Sequence, residues 1–174
     1  MDTPQSLQLA VIIPAYRMHT QTFINALDSL SEEDALKRVE GRTNHVVWMA
    51  GNFVNMRYGL ADVLGIDEND PFEELFHEGK ALDSAKTYPT LKELTANFHH
   101  ISPVVYNALL KLTDDRLSEE VPMGMNISFV PETLLNFIGM CIGRADYLCG
   151  QIGLMRRILN YPGMKYDVNK QVKY

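Results

Sequence analysis

A hydrophobic seam near the C-terminal end most restricts what this chain can become. Across 132–159, Leu134, Ile138, Cys141, Ala145, Leu148, Ile152, Met155 and Leu159 recur at alternating four- and three-residue spacing. That spacing returns to one side of an α-helix and demands other helices to cover it, whereas a strand would send alternate residues to opposite faces. The segment 44–64 repeats the pattern through Val46, Met49, Phe53, Met56, Leu60 and Val63, and Gly65 supplies a stop. A third helix is predicted over 90–112 through Leu91, Leu94, Phe98, Ile101, Val105, Ala108 and Leu112, with Thr90 and Glu93 at capping-box spacing and Pro103 expected to kink it. In the first, Leu9, Ile13, Tyr16, Thr20, Phe23, Leu27 and Leu30 keep the spacing, and Pro14 predicts a bend or a late start.

The connections are unequal. Residues 31–42 read as a polar link, 65–89 as a long crossover carrying a short helix over 71–77, and 114–130 as a loop. Neither strand alternation nor an internal repeat is visible. The expected fold class is therefore all-α, a four-helix bundle with a long crossover between helices 2 and 3. At 174 residues it forms one domain over 1–174, large enough to bury a substantial core.

Sixteen Lys and Arg against 22 Asp and Glu leave a net charge of −6, which argues against nucleic acid and anionic membranes as partners. No stretch reaches the length of an apolar membrane span, and Met1-Asp2-Thr3-Pro4 lacks the charged start of a leader. Cys141 and Cys149 are eight residues apart on one predicted helix, about 12 Å, beyond disulfide reach. A reducing cytoplasmic location is expected. Phosphate loops, nucleophile elbows and Cys-x-x-Cys pairs are not seen, and the paired carboxylates at Glu32-Glu33, Glu73-Glu74 and Glu119-Glu120 read as solvated or capping groups. Among the nine methionines, Met49, Met56, Met140 and Met155 read as packing residues.

Three segments in order resemble the DinB-like superfamily: Asn44-His45-Val46-Val47-Trp48-Met49-Ala50-Gly51-Asn52, then Tyr88-Pro89-Thr90-Leu91-Lys92-Glu93-Leu94, then Tyr147-Leu148-Cys149-Gly150-Gln151-Ile152-Gly153 with Arg156-Arg157. The resemblance implies a four-helix bundle, often dimeric, in which many members hold a divalent metal through three histidines. At the corresponding positions this chain has Asn52, Arg144 and Leu148. An amide is a poor donor for zinc or nickel, a guanidinium does not deprotonate, and an aliphatic chain donates nothing. No metal, no cofactor and no catalytic residue are expected, and His19, His45, His77, His99 and His100 lack the spacing to rebuild a site.

Asn52, Arg144 and Gln151 make a polar stripe, and together with Leu148 they are the candidate pocket residues. Arg144 has two readings: its planar fork receives a small anionic ligand, or it meets an internal acidic or carbonyl partner and specifies packing. The functional expectation is a noncatalytic small-molecule-binding or interaction protein. The alternative is a thiol-dependent transferase in which Arg144 replaces the metal and stabilises a thiolate or substrate carboxylate. A homodimer is expected through faces outside the seams, using residues such as Val47, Leu109, Phe137, Leu154 and Ile158.

Overall fold

The computed structural model describes residues 3–125 and 127–174. Met1 and Asp2, read above for a leader, lie outside them. Among the described residues the chain is all-helical, with no strand and one isolated bridge between Glu120 and Thr133. Four long helices carry the seams: α1 (Ile12–Leu27), α3 (Val46–Val63), α5 (Leu91–Leu109) and α7 (Leu134–Ile158). Single-turn helices α2 (Glu32–Ala35), α4 (Glu73–Phe76) and α6 (Asp114–Leu117) punctuate the connections. No helix among the described residues is long and apolar enough to cross a membrane.

The boundaries follow local chemistry. Pro14 occupies the first turn of α1, where its missing N–H has no intrahelical acceptor to lose, so the helix starts late and the chain before it forms a short 3₁₀ turn over Leu7–Leu9. Thr90 opens α5 with both halves of a capping box to Glu93, and Glu32 of α2 accepts from the Leu91 and Lys92 amides at 2.8 and 3.2 Å. Pro103 sits inside α5, which continues through it; the ring removes the donor due to the His99 carbonyl. Gly65, at φ +78°, ends α3, and the Ile66 amide reaches back to the Ala61 carbonyl.

The long helices close a ring of neighbours, α3 against α5 and α7, and α1 against α7 and α5. Phe23, Phe53 and Phe98 meet at its centre, with ring centroids 4.2 Å apart for Phe23 and Phe98 and 4.7 Å for Phe23 and Phe53. Val47 and Leu109, assigned above to a dimer face, belong to this core at 1 % and 0 % exposure, because each extends a seam that is wider than one residue per turn.

The crossover runs back along α3 and is pinned on three successive turns. Asn55 donates to Asp70 at 2.7 Å, Phe76 of α4 fills the notch over Gly51, and the Trp48 indole donates to the Lys80 carbonyl at 3.0 Å. A Cβ on Gly51 would fall 2.0 Å from the Phe76 ring, so glycine is required for this docking. After the last helix, the tail returns across α1. Gln21 exchanges hydrogen bonds with the backbone of Asn169 and Val172, Asn25 donates to the Asp167 carbonyl, and the Tyr174 hydroxyl meets His99 Nδ1 at 2.8 Å.

Candidate functional site

The docked crossover roofs a cleft of about 420 Å³ lined by Asn52, Asn55, Met56, Glu78, Gly79 and Arg144. Arg144, from α7, donates to Asn52 Oδ1, from α3, through Nη2 at 2.8 Å and Nε at 3.3 Å. The turn above them, a 3₁₀ segment over His77–Gly79, holds both Glu78 and Gly79 in the left-handed region, at φ +52° and +67°. Glu78 is strained there, and the strain is sustained by Phe76 on one side and Lys80 on the other. A Cβ on Gly79 would sit 3.7 Å from Arg144 Nη2 and 3.9 Å from Asn52 Nδ2, so the glycine lies directly over the pair.

Arg144 is half-buried and has no ion pair among the described residues. Its acceptor is a neutral amide, which orients the fork without cancelling its charge. The Tyr147 ring lies 5.3 Å away. Glu78, the one carboxylate in the lining, turns to solvent beside His77 Nε2 at 3.8 Å. The cleft thus offers a cation, two amides and a glycine turn.

Of the four residues the sequence proposed for this place, two meet and two do not. At about 100 degrees per residue, Leu148 is rotated about 40 degrees from Arg144 toward the seam, and it is fully buried in the core. Gln151 is rotated about 20 degrees the other way and lies about 10.5 Å further along α7; it is half-buried and outside the cleft lining. The three positions at which the resemblance expects histidines therefore hold an amide, the guanidinium bound to it, and a core aliphatic side chain. They do not fit a metal. Among the described residues no three His, Cys, Asp or Glu side chains converge as a ligand set.

The histidines are engaged elsewhere. His45 caps α3, its Nδ1 accepting from the Trp48 amide at 2.9 Å, and burial holds its pKa down to about 4. His19 and Asp146 pair at 2.7 Å, and His100 and Glu68 at 2.8 Å. Both thiols lie in the core, where burial pushes each up to about 12.

Two arginines among the described residues are buried: Arg57, which the sequence did not single out, and Arg156, which it noted only within a segment of the resemblance. Arg156 reaches back under the end of α1, donating to the Ala26, Asp28 and Pro162 carbonyls at 3.0, 2.5 and 3.3 Å. Arg57 lies inside the ring of helices with its Cζ 3.3 Å from the Tyr16 ring centroid. Its signal was present, since Phe53, Arg57 and Leu60 keep the four-three spacing of the seam. No family model matches the chain, and no curated protein matches it.

Proposed function

We propose that this chain is a DinB-like four-helix bundle without the metal site, which binds a small carboxylate or phosphate anion in the Arg144 cleft and does no chemistry on it. The observation that supports this reading is the Arg144 guanidinium: fixed by a neutral partner, left with its charge unpaired, and facing a space large enough for a metabolite-sized molecule. A planar fork held in one orientation has lost its conformational freedom before the ligand arrives, which favours binding. The transferase alternative has less support. Within the described lining, Glu78 is the sole carboxyl or imidazole group and it turns to solvent, so no base stands over the cleft to take a proton from a bound thiol.

A thermal-shift series with inorganic phosphate and small carboxylates tests the reading, because a ligand that prefers the folded state raises its apparent stability. Stabilisation of the native protein and none of Arg144→Met is expected; equal shifts in both proteins defeat it. Metal analysis of untagged protein after dialysis is expected to find no stoichiometric transition metal, and one retained equivalent of zinc or nickel overturns the metal-free assignment.

The expected homodimer fits the outer face of α7. Met140, Tyr147, Leu154 and Ile158 are exposed there, and Arg144 and Gln151 lie on the same stripe. A second copy seated on this stripe would also border the cleft. Light scattering at micromolar concentration is expected to give a dimer that Leu154→Glu dissociates; a monomeric native protein removes this part of the proposal.

A further inference from the structure

A second cleft, of about 300 Å³, opens where the polar link before α3 meets the end of the crossover. Separate stretches of chain supply its polar wall: Arg38 from the link, His45 from the cap of α3, and Ser84, Lys86 and Tyr88 from the crossover. Leu36 and Leu82 add apolar surface.

The chemistry of this wall is one-sided. His45 is 5 % exposed, and because its Nδ1 accepts from the Trp48 amide at 2.9 Å, the neutral ring carries its proton on Nε2. That N–H leaves the edge of the ring turned away from the α3 amide and has no hydrogen-bond partner among the described residues. Burial and the neighbouring Arg38 charge keep the ring neutral, and the Tyr88 ring meets it edge to face with centroids 4.9 Å apart. The Tyr88 hydroxyl accepts from the Asp83 amide at 3.0 Å, which leaves its own proton free to donate. Arg38 gives Nε to the Thr43 carbonyl at 2.6 Å and Nη1 to the Ser84 hydroxyl at 3.3 Å, two neutral acceptors that orient the fork without cancelling its charge. Neither Arg38 nor Lys86 has an ion pair among the described residues. Asp83, the nearest carboxylate in sequence, accepts from the Ala85 amide and does not line the cleft.

We infer that this second cleft binds a small organic phosphate monoester, its phosphate group held by Arg38, Lys86, His45 Nε2 and the Tyr88 hydroxyl. Such a group carries about two negative charges near neutral pH and three acceptor oxygens, which match the two unpaired cations and the neutral donors between them. A carboxylate, with one charge and two oxygens, leaves a cation unmatched. The positive end of the α3 dipole lies at the same wall, where His45 caps the helix. Leu36, Leu82 and the Tyr88 ring are left to receive the organic body, and the volume suits a compact ligand. The inference does not rest on the Arg144 reading, since the two clefts share no lining residue.

Calorimetric titration with phenyl phosphate, inorganic phosphate and benzoate tests this on the native protein, Arg38→Met, Lys86→Ala and Arg144→Met. Native protein is expected to bind phenyl phosphate about 30-fold more tightly than inorganic phosphate, which leaves the apolar wall uncovered. Lys86→Ala, at an exposed position, is expected to weaken phenyl phosphate by about 5–10-fold, and Arg38→Met to abolish its binding. Arg144→Met is expected to leave it unchanged. No binding of phenyl phosphate to the native protein overturns the site. Binding that Lys86→Ala leaves intact overturns it too, and where Arg144→Met removes that binding the ester belongs to the other cleft. Benzoate bound as tightly as phenyl phosphate overturns the phosphate assignment. Nitrogen NMR of the histidine rings gives a readout that needs no variant: a shift of His45 Nε2 on saturation with phenyl phosphate supports the proposal, and an unmoved His45 defeats it.

Discussion

Arg156 and Arg57 are buried to almost the same degree, 4 % and 2 % exposed, yet the protein treats them in opposite ways. Arg156 stands where helix α1 ends and the chain turns after α7, a place rich in carbonyls that no helix can satisfy, and it donates to three of them. Arg57 stands in mid-helix on α3, where neighbouring carbonyls are committed to the helix, and it meets aromatic faces and thiols. Burial alone therefore does not reveal what a charged residue does. The state of its hydrogen bonds separates a clamp from a cation that rests on aromatic faces.

The sharpest way to break this contrast is at the clamp. Arg156→Met removes three bonds from a charged donor and strands the end of α1, so a loss of about 3–4 kcal/mol is expected in urea unfolding. A loss below about 1 kcal/mol would make Arg156 no more structural than Arg57 and erase the distinction.

His45 extends the comparison to a group whose satisfaction depends on protonation. Its Nδ1 accepts the Trp48 amide and must be unprotonated to do so. The unfolded chain binds this proton near pH 6.5, whereas in the folded chain burial delays it to about 4. Between those values the unfolded state binds more protons, so the stability is complete above pH 6.5 and declines as pH falls toward 4. The expected loss is about 2–3 kcal/mol across that window. His45→Asn keeps a cap acceptor without a titrating ring. The difference between the two unfolding curves should grow as the pH drops; parallel curves would show that His45 is not held neutral.

The arginines also show how far the sequence could be read. The seams placed all four long helices closely, because burial of a stripe is written into spacing: 132–159 against Leu134–Ile158, and 90–112 against Leu91–Leu109. Asn52 and Arg144 were legible as a pair because each stands at the edge of its seam. Leu148 was legible as core, being apolar and on the seam, and only the resemblance placed it among the pocket candidates. Gln151 was not separable from Arg144 by residue type, since it shares the stripe and only its place about 10.5 Å further along α7 takes it out of the cleft. Neither the cleft's roof nor the returning tail was legible. The roof depends on a left-handed turn at Glu78 and Gly79, and the tail on side chains such as Gln21 binding backbone 148 residues away. Neither feature has a period.

Arg144 falls between the two buried arginines. Its partner, Asn52, is buried and would keep an unmet oxygen in Arg144→Met, but no charge would be stranded. The expected cost is about 1 kcal/mol, well short of the 3–5 kcal/mol that follows removal of one half of a buried ion pair. Chemical denaturation of the variant measures this. A loss as large as that of Arg156→Met would mean that the fork braces α3 against α7 rather than waiting for a ligand.

Arg57→Met is expected to change stability least, by less than about 1 kcal/mol in urea unfolding. The substitution gives up the cation's attraction to Tyr16, about 2 kcal/mol for a desolvated pair, and the weak bond to the Tyr16 carbonyl. Against this, it removes the desolvation of a full charge and two unmet donors, and a flexible thioether fills much of the same volume among Phe53, Phe98 and the thiols. These terms oppose each other at similar size. Equal burial with a near-zero cost at one residue and several kcal/mol at the other would distinguish Arg57 from Arg156. A large loss would instead place Arg57 with the clamp, its charge held by the aromatic rings alone.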